Sequence, residues 1–338
     1  MRRGLALLLL LLAAACSPVV MPAGPFLRDP ALSDDAVIAG DGAVLPLRRF
    51  APEGPPRAVL LALHGFNDHS GNFLTDSLEA LKQGGLLIYA YDQRGFGRAP
   101  NRGYWAGAET LASDAAAAAR LLRARHPDLP FFLLGESMGA SVAILASAGT
   151  PPPPVDGYVL LTPALYGRGA MNAVMRGGLW LVAHTIPVVP FQGGVGGIVA
   201  SDNPAALRRL GRDPLVIRHT RVDSAVGLVD LMDAAVAAMP ACCRGAFGRP
   251  VPTLVLIGAQ DRVVPQHASR AALERLPPGR VRLGVYPGGY HLLLADRNRE
   301  AVAQDVLAFI TDPSAPLPSR AESHVEDWLA GRPLNPGS

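Results

Sequence analysis

Short, continuous hydrophobic runs recur along the chain, and stretches with helical spacing of apolar residues separate them. A run without polar positions is typical of a strand that is covered on both faces, as in a parallel sheet. Strands that alternate with helices in this way predict an α/β fold with a mostly parallel sheet flanked by helices. The predicted buried strands are residues 58–63, 86–91, 131–134, 158–161, 253–257 and 281–286.

The stretches between these runs place apolar residues three and four positions apart, as on one face of a helix. Pro127 follows the longest of them, at a point where proline ends a helix. Ahead of the first buried strand, residues 36–39 and 43–47 predict a hairpin that turns at residues 40–42. The predicted helices are residues 74–82, 109–125 and 302–310, with another around Leu273.

One interval, residues 165–249, lacks a clear buried strand and contains helix candidates at 171–184 and 225–239. We interpret this interval as a mainly helical cap, inserted before the strand that precedes Asp261. A cap above the carboxyl edge of a parallel sheet would cover a site there. The alternative is a set of ordinary packing helices. Together these interpretations predict a core of residues 35–164 and 250–311 and a C-terminal tail of residues 312–338, with a short helix at 322–330.

The first 16 residues have the pattern of a bacterial export signal. Arg2 and Arg3 precede an apolar stretch, residues 5–12, which is too short to span a bilayer. Three alanines then lead to Cys16, and the segment resembles a lipoprotein signal in which that cysteine is acylated. Ala13 departs from the leucine that is usual there, so ordinary secretion and an uncleaved anchor remain alternatives.

The lipoprotein resemblance implies an exported protein that is bound to the membrane through its N-terminus. Ser17 after the cysteine would direct it to the outer membrane of a Gram-negative cell, and the alternatives are a periplasmic or secreted protein. Residues 17–34 are rich in proline and are predicted to be a tether.

Charge and cysteine content exclude several classes of function. Removal of Arg2 and Arg3 from 31 basic residues leaves 29 against 28 acidic ones, a balance of +1 that does not suggest nucleic-acid binding. Cys242 and Cys243 are adjacent and lack metal-ligand spacing. They could form a vicinal disulfide, but the strain of that geometry favours two structural or unpaired thiols. No motif for a phosphate, a dinucleotide, a metal or another cofactor is found in a suitable context.

A five-residue turn, Gly-Glu-Ser-Met-Gly at 135–139, follows the third buried run and precedes a helical stretch. In a strand–turn–helix unit of this kind the serine lies on a strained backbone with its hydroxyl exposed above the sheet. The flanking glycines allow the strand and the helix to cross closely. Ser137 is therefore the candidate nucleophile.

Two loops supply candidates for the base and the acid that would activate Ser137. Asp261 follows the run 253–257, and His291 follows the run 281–286, so all three residues lie at carboxyl ends of strands. The order serine, acid, histidine is the order of this sheet architecture. Asp92 also ends a strand, but it precedes Ser137 and fits that order poorly.

The expected roles follow from acyl-transfer chemistry. His291 would take the proton of Ser137 as the serine oxygen attacks an acyl carbon, and Asp261 would orient the imidazole. The Met138 N–H would be one donor of an oxyanion hole. The other would come from the loop at 63–68, where we choose the N–H of Phe66, while His64 is expected to be structural.

Six segments carry a resemblance to a known family: HGFNDHSGNF (64–73), YDQRGFGRAPNRG (91–103), GESMG (135–139), RDPLVIR (212–218), GAQDRVVP (258–265) and GYH (289–291). In these segments the chain resembles an α/β-hydrolase of the monoacylglycerol lipase and lysophospholipase type, which is grouped with the serine aminopeptidase-like hydrolases. The resemblance implies the triad Ser137, Asp261 and His291 and the oxyanion donors Phe66 and Met138. Phe96 departs from the family, which often has histidine there.

We therefore expect a serine hydrolase that cleaves carboxylic esters through an acyl-enzyme, with a monoacylglycerol or a lysophospholipid as substrate. Alternatives with the same fold are an aminopeptidase or amidase and a thioesterase. A non-catalytic, hydrolase-like lipoprotein scaffold is the alternative from another class, and the intact triad argues against it. The sequence leaves the oligomeric state open.

Overall fold

The computed structural model of the chain describes residues 17–192 and 198–335. The expected signal segment and the proposed lipidation site Cys16 lie outside the described residues. Within the described ranges, no helix is both long and apolar enough to cross a bilayer.

A nine-stranded sheet forms the centre of the molecule, in the order β1-β2-β3-β5-β4-β6-β7-β10-β11. The first three strands pair antiparallel at one edge, and β5, β4, β6, β7, β10 and β11 are parallel to one another. The six predicted runs are these six parallel strands, which confirms the expected fold class. The strands are β1 Ala31–Leu32, β2 Ala36–Ile38, β3 Val44–Phe50, β4 Ala58–Leu63, β5 Leu86–Tyr91, β6 Phe131–Glu136, β7 Gly157–Leu161, β10 Thr253–Gly258 and β11 Arg282–Tyr286.

Helices cover both faces of the sheet, which explains why its central strands carry apolar residues at every position. One face packs against α2 and α3, and the other packs against α1 and α8. The helices are α1 Leu78–Gln83, α2 Ala108–Arg125, α3 Met138–Ala148, α4 Ala173–Thr185, α5 Pro204–Arg212, α6 Val222–Ala238, α7 Gln266–Leu273, α8 Arg299–Thr311 and α9 Val325–Leu329.

The packing on each face depends on residue size. Alanines 115, 118 and 119 of α2 are fully buried, and their small side chains let the helix lie close to the sheet. On the opposite face the ring of Phe309 is fully buried and meets Phe132 at a centroid distance of 6.2 Å. Loss of such a buried ring costs about 3–5 kcal/mol of stability.

The cap segment, residues 165–249, lies between β7 and β10 and contains α4, α5 and α6. It also contains a small antiparallel sheet of β8 (Pro190–Gln192) and β9 (His219–Arg221). Neither α5 nor this sheet was predicted. Strand β8 is exposed along its length, so it carries no hydrophobic pattern. Helix α5 was overlooked, although its Asn203 side chain accepts from the N–H groups of Ala205 and Ala206, as at a typical helix start.

Residues 17–34, the predicted tether, contact the core at several points. The Met21 N–H donates to the Trp105 carbonyl at 2.7 Å, and the Ala23 N–H donates to the Thr110 hydroxyl. Further along, β1 extends the sheet by pairing with β2. Backbone hydrogen bonds without an apolar pattern hold the segment, and they are invisible in the sequence.

The preference for unpaired thiols at 242 and 243 was wrong. The structure joins Cys242 and Cys243 as a vicinal disulfide, and both side chains are buried. The Cys243 N–H donates to the Ser147 hydroxyl of α3, which attaches the end of the cap segment to the core.

The C-terminal tail packs against the core through a short helix, as the sequence predicted for residues 322–330. Trp328 of α9 is buried, and its indole N–H donates to the Gln266 side chain at 2.6 Å. Arg270 of α7 donates to the Trp328 carbonyl at 2.9 Å.

Candidate active site

Ser137 lies in a sharp turn between β6 and α3, with φ 53° and ψ −113°. A residue with a Cβ atom is strained at such a positive φ, and the surrounding packing must hold it there. A Cβ atom on Gly135 would collide with the Gly139 carbonyl, and one on Gly139 would collide with the Leu63 carbonyl. Both glycines are therefore required where strand and helix cross.

The structure brings the three predicted residues Ser137, His291 and Asp261 together in one hydrogen-bonded chain. The His291 Nε2 lies 2.8 Å from the Ser137 Oγ, and its Nδ1 lies 2.7 Å from the Asp261 Oδ2. Both His291 and Asp261 are 5% exposed. A carboxylate partner places the proton on Nδ1, which leaves Nε2 as the acceptor for the serine hydroxyl.

Further hydrogen bonds hold this chain in place. The Asp261 Oδ1 accepts from the N–H groups of Val263 and Val264 at 2.8 and 3.1 Å. On the histidine side, the Thr162 hydroxyl donates to the His291 carbonyl at 2.7 Å. The carboxylate and the imidazole are thus oriented by contacts outside the triad itself.

Asp92, the alternative acid, has its hydrogen bonds elsewhere. Its carboxylate accepts from the N–H and hydroxyl of Ser70 and from the N–H of Arg98, at 2.6 to 2.9 Å. Burial raises the pKa of Asp92, but these hydrogen bonds outweigh that effect and the pKa lies below its usual value. Asp92 therefore stabilises the loops after β4 and β5.

The two predicted oxyanion donors lie beside Ser137. Met138 is the next residue and begins α3, while Phe66 lines the cavity above the serine. Neither backbone N–H has a hydrogen-bond partner among the described residues. Gly65 of the same loop lies close to the nucleophile, since a Cβ atom there would be in ordinary van der Waals contact with the Ser137 Cβ, at 3.5 Å.

His64 holds the loop that carries Phe66. Its Nδ1 donates to the Gly65 carbonyl at 2.8 Å, and its Nε2 accepts from the Gln93 N–H at 3.0 Å. Burial lowers the pKa of His64 to about 4, so the ring is neutral. Phe96 packs edge-on against both His64 and Phe66, with ring centroids 5.7 and 5.5 Å away. The sequence identified Phe96 only as a departure from the family pattern.

The same loop is attached to the cap segment. The Ile217 N–H donates to the Asn67 carbonyl at 2.9 Å, and the Asn67 side chain donates to the Thr220 hydroxyl at 2.7 Å. Asn67 has a positive φ of 66°, a conformation that asparagine tolerates better than most residues.

A cavity of about 440 Å³ opens above Ser137 and His291. This volume is within the range of small-molecule sites, roughly 300–1,000 Å³. The cap segment contributes apolar walls, and the polar side chains of Asp68, Glu136 and Arg218 also line the cavity. The larger aliphatic side chains from the cap segment are Leu207, Leu210, Val216, Ile217, Leu228 and Met232.

Three buried carboxyl groups, from Glu136, Asp68 and Asp296, cluster beside the nucleophile. Burial raises the pKa of Asp68 and that of Asp296 to about 6. Burial, followed by the charges of Asp68 and Asp296, raises the pKa of Glu136 well above its usual value. Sequence reasoning missed this cluster, although a glutamate at the end of an apolar strand was a visible signal. In the described part of the chain, no group of histidine, cysteine or acidic side chains is arranged to hold a metal.

Comparison with known families matches the chain over most of its length. The family model for serine aminopeptidase, S33, matches residues 54–298. A monoacylglycerol lipase of Mycolicibacterium smegmatis is 27% identical over 267 residues, which are 77% of this chain and 90% of the relative. A monoglyceride lipase of Homo sapiens is 26% identical over 260 residues, 76% of this chain and 82% of the relative.

Solved structures share the fold. A monoacylglycerol lipase of Paleococcus ferrophilus covers 80% of this chain and 99% of its own, with a TM-score of 0.63 and 24% identity. A soluble variant of a monoglyceride lipase of Saccharomyces cerevisiae, in complex with a substrate analog, covers 86% of this chain and 98% of its own. Its TM-score is 0.67 and its identity is 19%.

Proposed function

The chain belongs to the serine aminopeptidase S33 family, and we propose that it hydrolyses monoacylglycerols through a triad of Ser137, His291 and Asp261. Its relatives include monoglyceride lipases, and the chain is an ester hydrolase. The observation that carries the proposal is the hydrogen-bonded chain from Asp261 through His291 to Ser137, which lies beneath a largely apolar cavity.

The reaction begins with attack of the Ser137 Oγ on the ester carbonyl carbon, while His291 Nε2 removes the hydroxyl proton. The imidazolium that forms is stabilised by Asp261. His291 then gives the proton to the leaving alcohol oxygen as the ester C–O bond breaks, which leaves an acyl group on Ser137.

Water releases the acyl group by the same steps. His291 takes a proton from the water that attacks the acyl carbon and returns it to Ser137 as the carboxylic acid leaves. In both steps the N–H groups of Phe66 and Met138 donate to the oxyanion. Their lack of other hydrogen-bond partners among the described residues supports this role, and loss of one such donor costs about 10²–10³ in kcat.

The charges near Ser137 favour a monoacylglycerol over a lysophospholipid. The carboxyl groups of Asp68 and Glu136 line the cavity, and Arg218 is the one lysine or arginine among its described lining residues. Burial raises the pKa of Asp68 to about 6, so its carboxylate is charged at neutral pH and would repel a phosphate head group. Glycerol hydroxyls are uncharged and can donate to the carboxyl oxygens of Asp68 and Glu136. The apolar walls from the cap segment suit a single acyl chain.

Lipidation of Cys16 is the second part of the proposal. Pro18, two residues further on, lines a cavity with Trp180 and Ala183 of α4. On the same helix, the side chains of Val174 and Trp180 are 84% and 62% exposed. An acyl anchor on Cys16 would therefore hold this apolar surface near the lipid that supplies the substrate.

The test of the reaction is hydrolysis of p-nitrophenyl esters from acetate to palmitate by the mature protein and by Ser137→Ala. A chain-length-dependent rate that is lost in the variant is expected. Equal rates in both proteins would overturn Ser137 as nucleophile, and no ester hydrolysis would favour an amidase, tested next with aminoacyl amides. Hydrolysis of a monoacylglycerol and of a lysophosphatidylcholine with the same acyl chain then tests the head-group preference. Faster release of fatty acid from the lysophosphatidylcholine would contradict the proposed preference for monoacylglycerol.

The test of lipidation is fractionation of cells that express the full chain or Cys16→Ala. The full chain is expected in the membrane fraction, and the variant is expected to lose that association. A variant that remains in the membrane fraction would overturn the anchor without affecting the catalytic proposal.

A further inference from the structure

Glu136 is a buried carboxyl group that has no role in the proposed reaction steps. It is the last residue of β6 and is 2% exposed. Its Oε2 has no hydrogen-bond partner among the described residues. A carboxylate buried without a donor is strongly destabilised, and such a group normally keeps its proton instead.

The neighbouring carboxyl groups differ from Glu136 in their hydrogen bonds. Asp68 accepts from the His69 N–H at 2.8 Å and from the Asn72 side chain at 2.9 and 3.1 Å. The Asp296 Oδ2 accepts from the Tyr290 N–H at 2.7 Å, while its Oδ1, like the Glu136 Oε2, has no partner among the described residues. These donors stabilise negative charge on both aspartates. Of the three acids, Glu136 is thus the one for which the described chain provides the least support as an anion.

Glu136 also lies close to the residues of the proposed oxyanion hole. It precedes Ser137, lines the cavity, and approaches the loop that carries Phe66. A Cβ atom on Gly65 would lie 3.9 Å from the Glu136 Oε1. A negative charge at this point would act on the oxyanion from close range through a poorly polarisable medium.

We propose that Glu136 is a positioning residue that must be a neutral carboxylic acid for Ser137 to react, and that its ionisation sets the alkaline limit of activity. The inference rests on the proposed function, because it concerns the same oxyanion. The neutral acid places no charge near the oxyanion. Loss of its proton to hydroxide leaves an anion that opposes the tetrahedral intermediate.

The charged groups around Glu136 support a neutral state. Asp68 faces it from the loop after β4, and Asp296 faces it from the loop after β11; both raise the pKa of Glu136, after the larger effect of burial. His291 and Arg218 share the larger cavity, and Arg209 of α5 shares a small cavity with Glu136.

The Arg209 side chain forms its hydrogen bonds with other residues. It donates to the Asp76 carboxylate, at 3.0 Å for the Nη1–Oδ1 contact, and to Asn72. It therefore does not neutralise a charge on Glu136.

The experiment compares pH–rate profiles of the mature protein, Glu136→Gln and Glu136→Asp between pH 6 and 10.5. Two rates are measured: kcat/KM for a p-nitrophenyl ester and inactivation by a fluorophosphonate, which needs the nucleophile and the oxyanion hole but no particular substrate. We expect both rates to fall by about tenfold or more on the alkaline side in the protein and in Glu136→Asp. Both rates of Glu136→Gln should remain constant over the same alkaline range.

Identical alkaline limbs in the protein and Glu136→Gln would overturn the proposal, because glutamine cannot ionise. A plateau in all three proteins would overturn it as well. If Glu136→Gln is unfolded under the assay conditions, Glu136→Met replaces it as the non-ionisable variant and the same criteria apply. Absence of ester hydrolysis together with a Glu136-dependent phosphonate profile would refute the substrate proposal and support this one.

Discussion

The His69 Nε2 lies 3.0 Å from the Asp213 Oδ2, and this contact joins the loop after β4 to the cap segment. The Nδ1 of the same ring accepts from the Gly71 N–H at 3.1 Å. Nε2 therefore carries the proton and donates it to Asp213, so the neutral ring is enough for the contact. His69 is buried, and its loop also carries Phe66.

Removal of the Asp213 carboxylate should loosen that loop. We expect Asp213→Ala to lower kcat/KM by about tenfold, the effect of losing roughly one charge-assisted hydrogen bond. Asp213→Asn keeps an acceptor and should retain most of the activity. Equal activity of Asp213→Ala and the unaltered protein would show that the contact does not position the oxyanion loop.

The contact should also depend on acidity. Burial raises the pKa of Asp213, but the donors from Leu215 and His69 outweigh it and the pKa lies below its usual value. The folded state therefore gains stability from the anion at neutral pH, and this contribution is lost as the pH falls below about 4. Urea titrations of the protein and of Asp213→Asn at pH 7 and pH 3.5 measure this contribution. If the difference in stability between the two proteins is no smaller at pH 3.5, the predicted pH dependence is wrong.

Asp261 and Asp92 give opposite predictions, although both follow buried strands. Asp261→Asn should lower kcat by about 10⁴, because the amide no longer holds the catalytic tautomer of His291. Its fold should be retained.

Asp92→Asn should instead lower stability by about 1–3 kcal/mol through its bonds to Ser70 and Arg98, with little effect on kcat in the folded fraction. Thermal melting and active-site titration separate the two effects. A catalytic loss confined to Asp92→Asn would reverse the assignment of the acid.

Arg94 connects two carboxylates that lie far apart in the sequence. It donates to Asp41 in the hairpin turn at 2.7 and 2.8 Å and to Asp114 of α2 at 2.6 and 3.1 Å, and all three side chains are buried. Arg94→Met leaves both carboxylates without a cation and should lower the free energy of unfolding by about 3–5 kcal/mol.

The matched control is Arg120→Met, an exposed arginine on α2. It should change the free energy of unfolding by less than about 0.5 kcal/mol. Urea denaturation of both variants at pH 7 tests the difference, and equal midpoints would show that the buried network contributes no more than a surface charge.

Asp296 should give the stability curve a second pH dependence, of opposite sign. Burial raises its pKa to about 6 in the folded chain, against about 4 when unfolded. Between these values the folded state binds more protons, so this contribution to stability falls as the pH rises. The free energy of unfolding of the protein should fall by about 2–3 kcal/mol between pH 4 and pH 6.5 because of this group, and Asp296→Asn should not show that fall. Parallel stability curves for the protein and the variant would contradict this.

The hydrophobic pattern was sufficient for the elements that determine the fold. The six runs from 58–63 to 281–286 correspond to the six parallel strands, because a strand covered on both faces must be apolar at each position. The order of Ser137, Asp261 and His291 relative to these strands also predicted where they would meet. Parallel strands end at one edge, so that prediction needed strand order and direction only.

The cap segment was less predictable from the sequence. Helices α4 and α6 have apolar faces and were anticipated within two or three residues. Strand β8 is exposed and paired only with β9, so its conformation follows from a neighbour 27 or more residues away. The same limit applies to residues 17–34, which are held by backbone hydrogen bonds to Trp105 and Thr110.

The sequence by itself determined the parallel sheet, the turn at Ser137 and the order of the three proposed catalytic residues, since each depends on local pattern or chain direction. Tertiary structure alone decided that Cys242 bonds to Cys243, that His69 meets Asp213 and that Glu136 is buried without a donor. These features depend on which distant groups approach one another and on how much water is excluded around them. Neither the approach of distant groups nor the exclusion of water can be read from the spacing of residues along the chain.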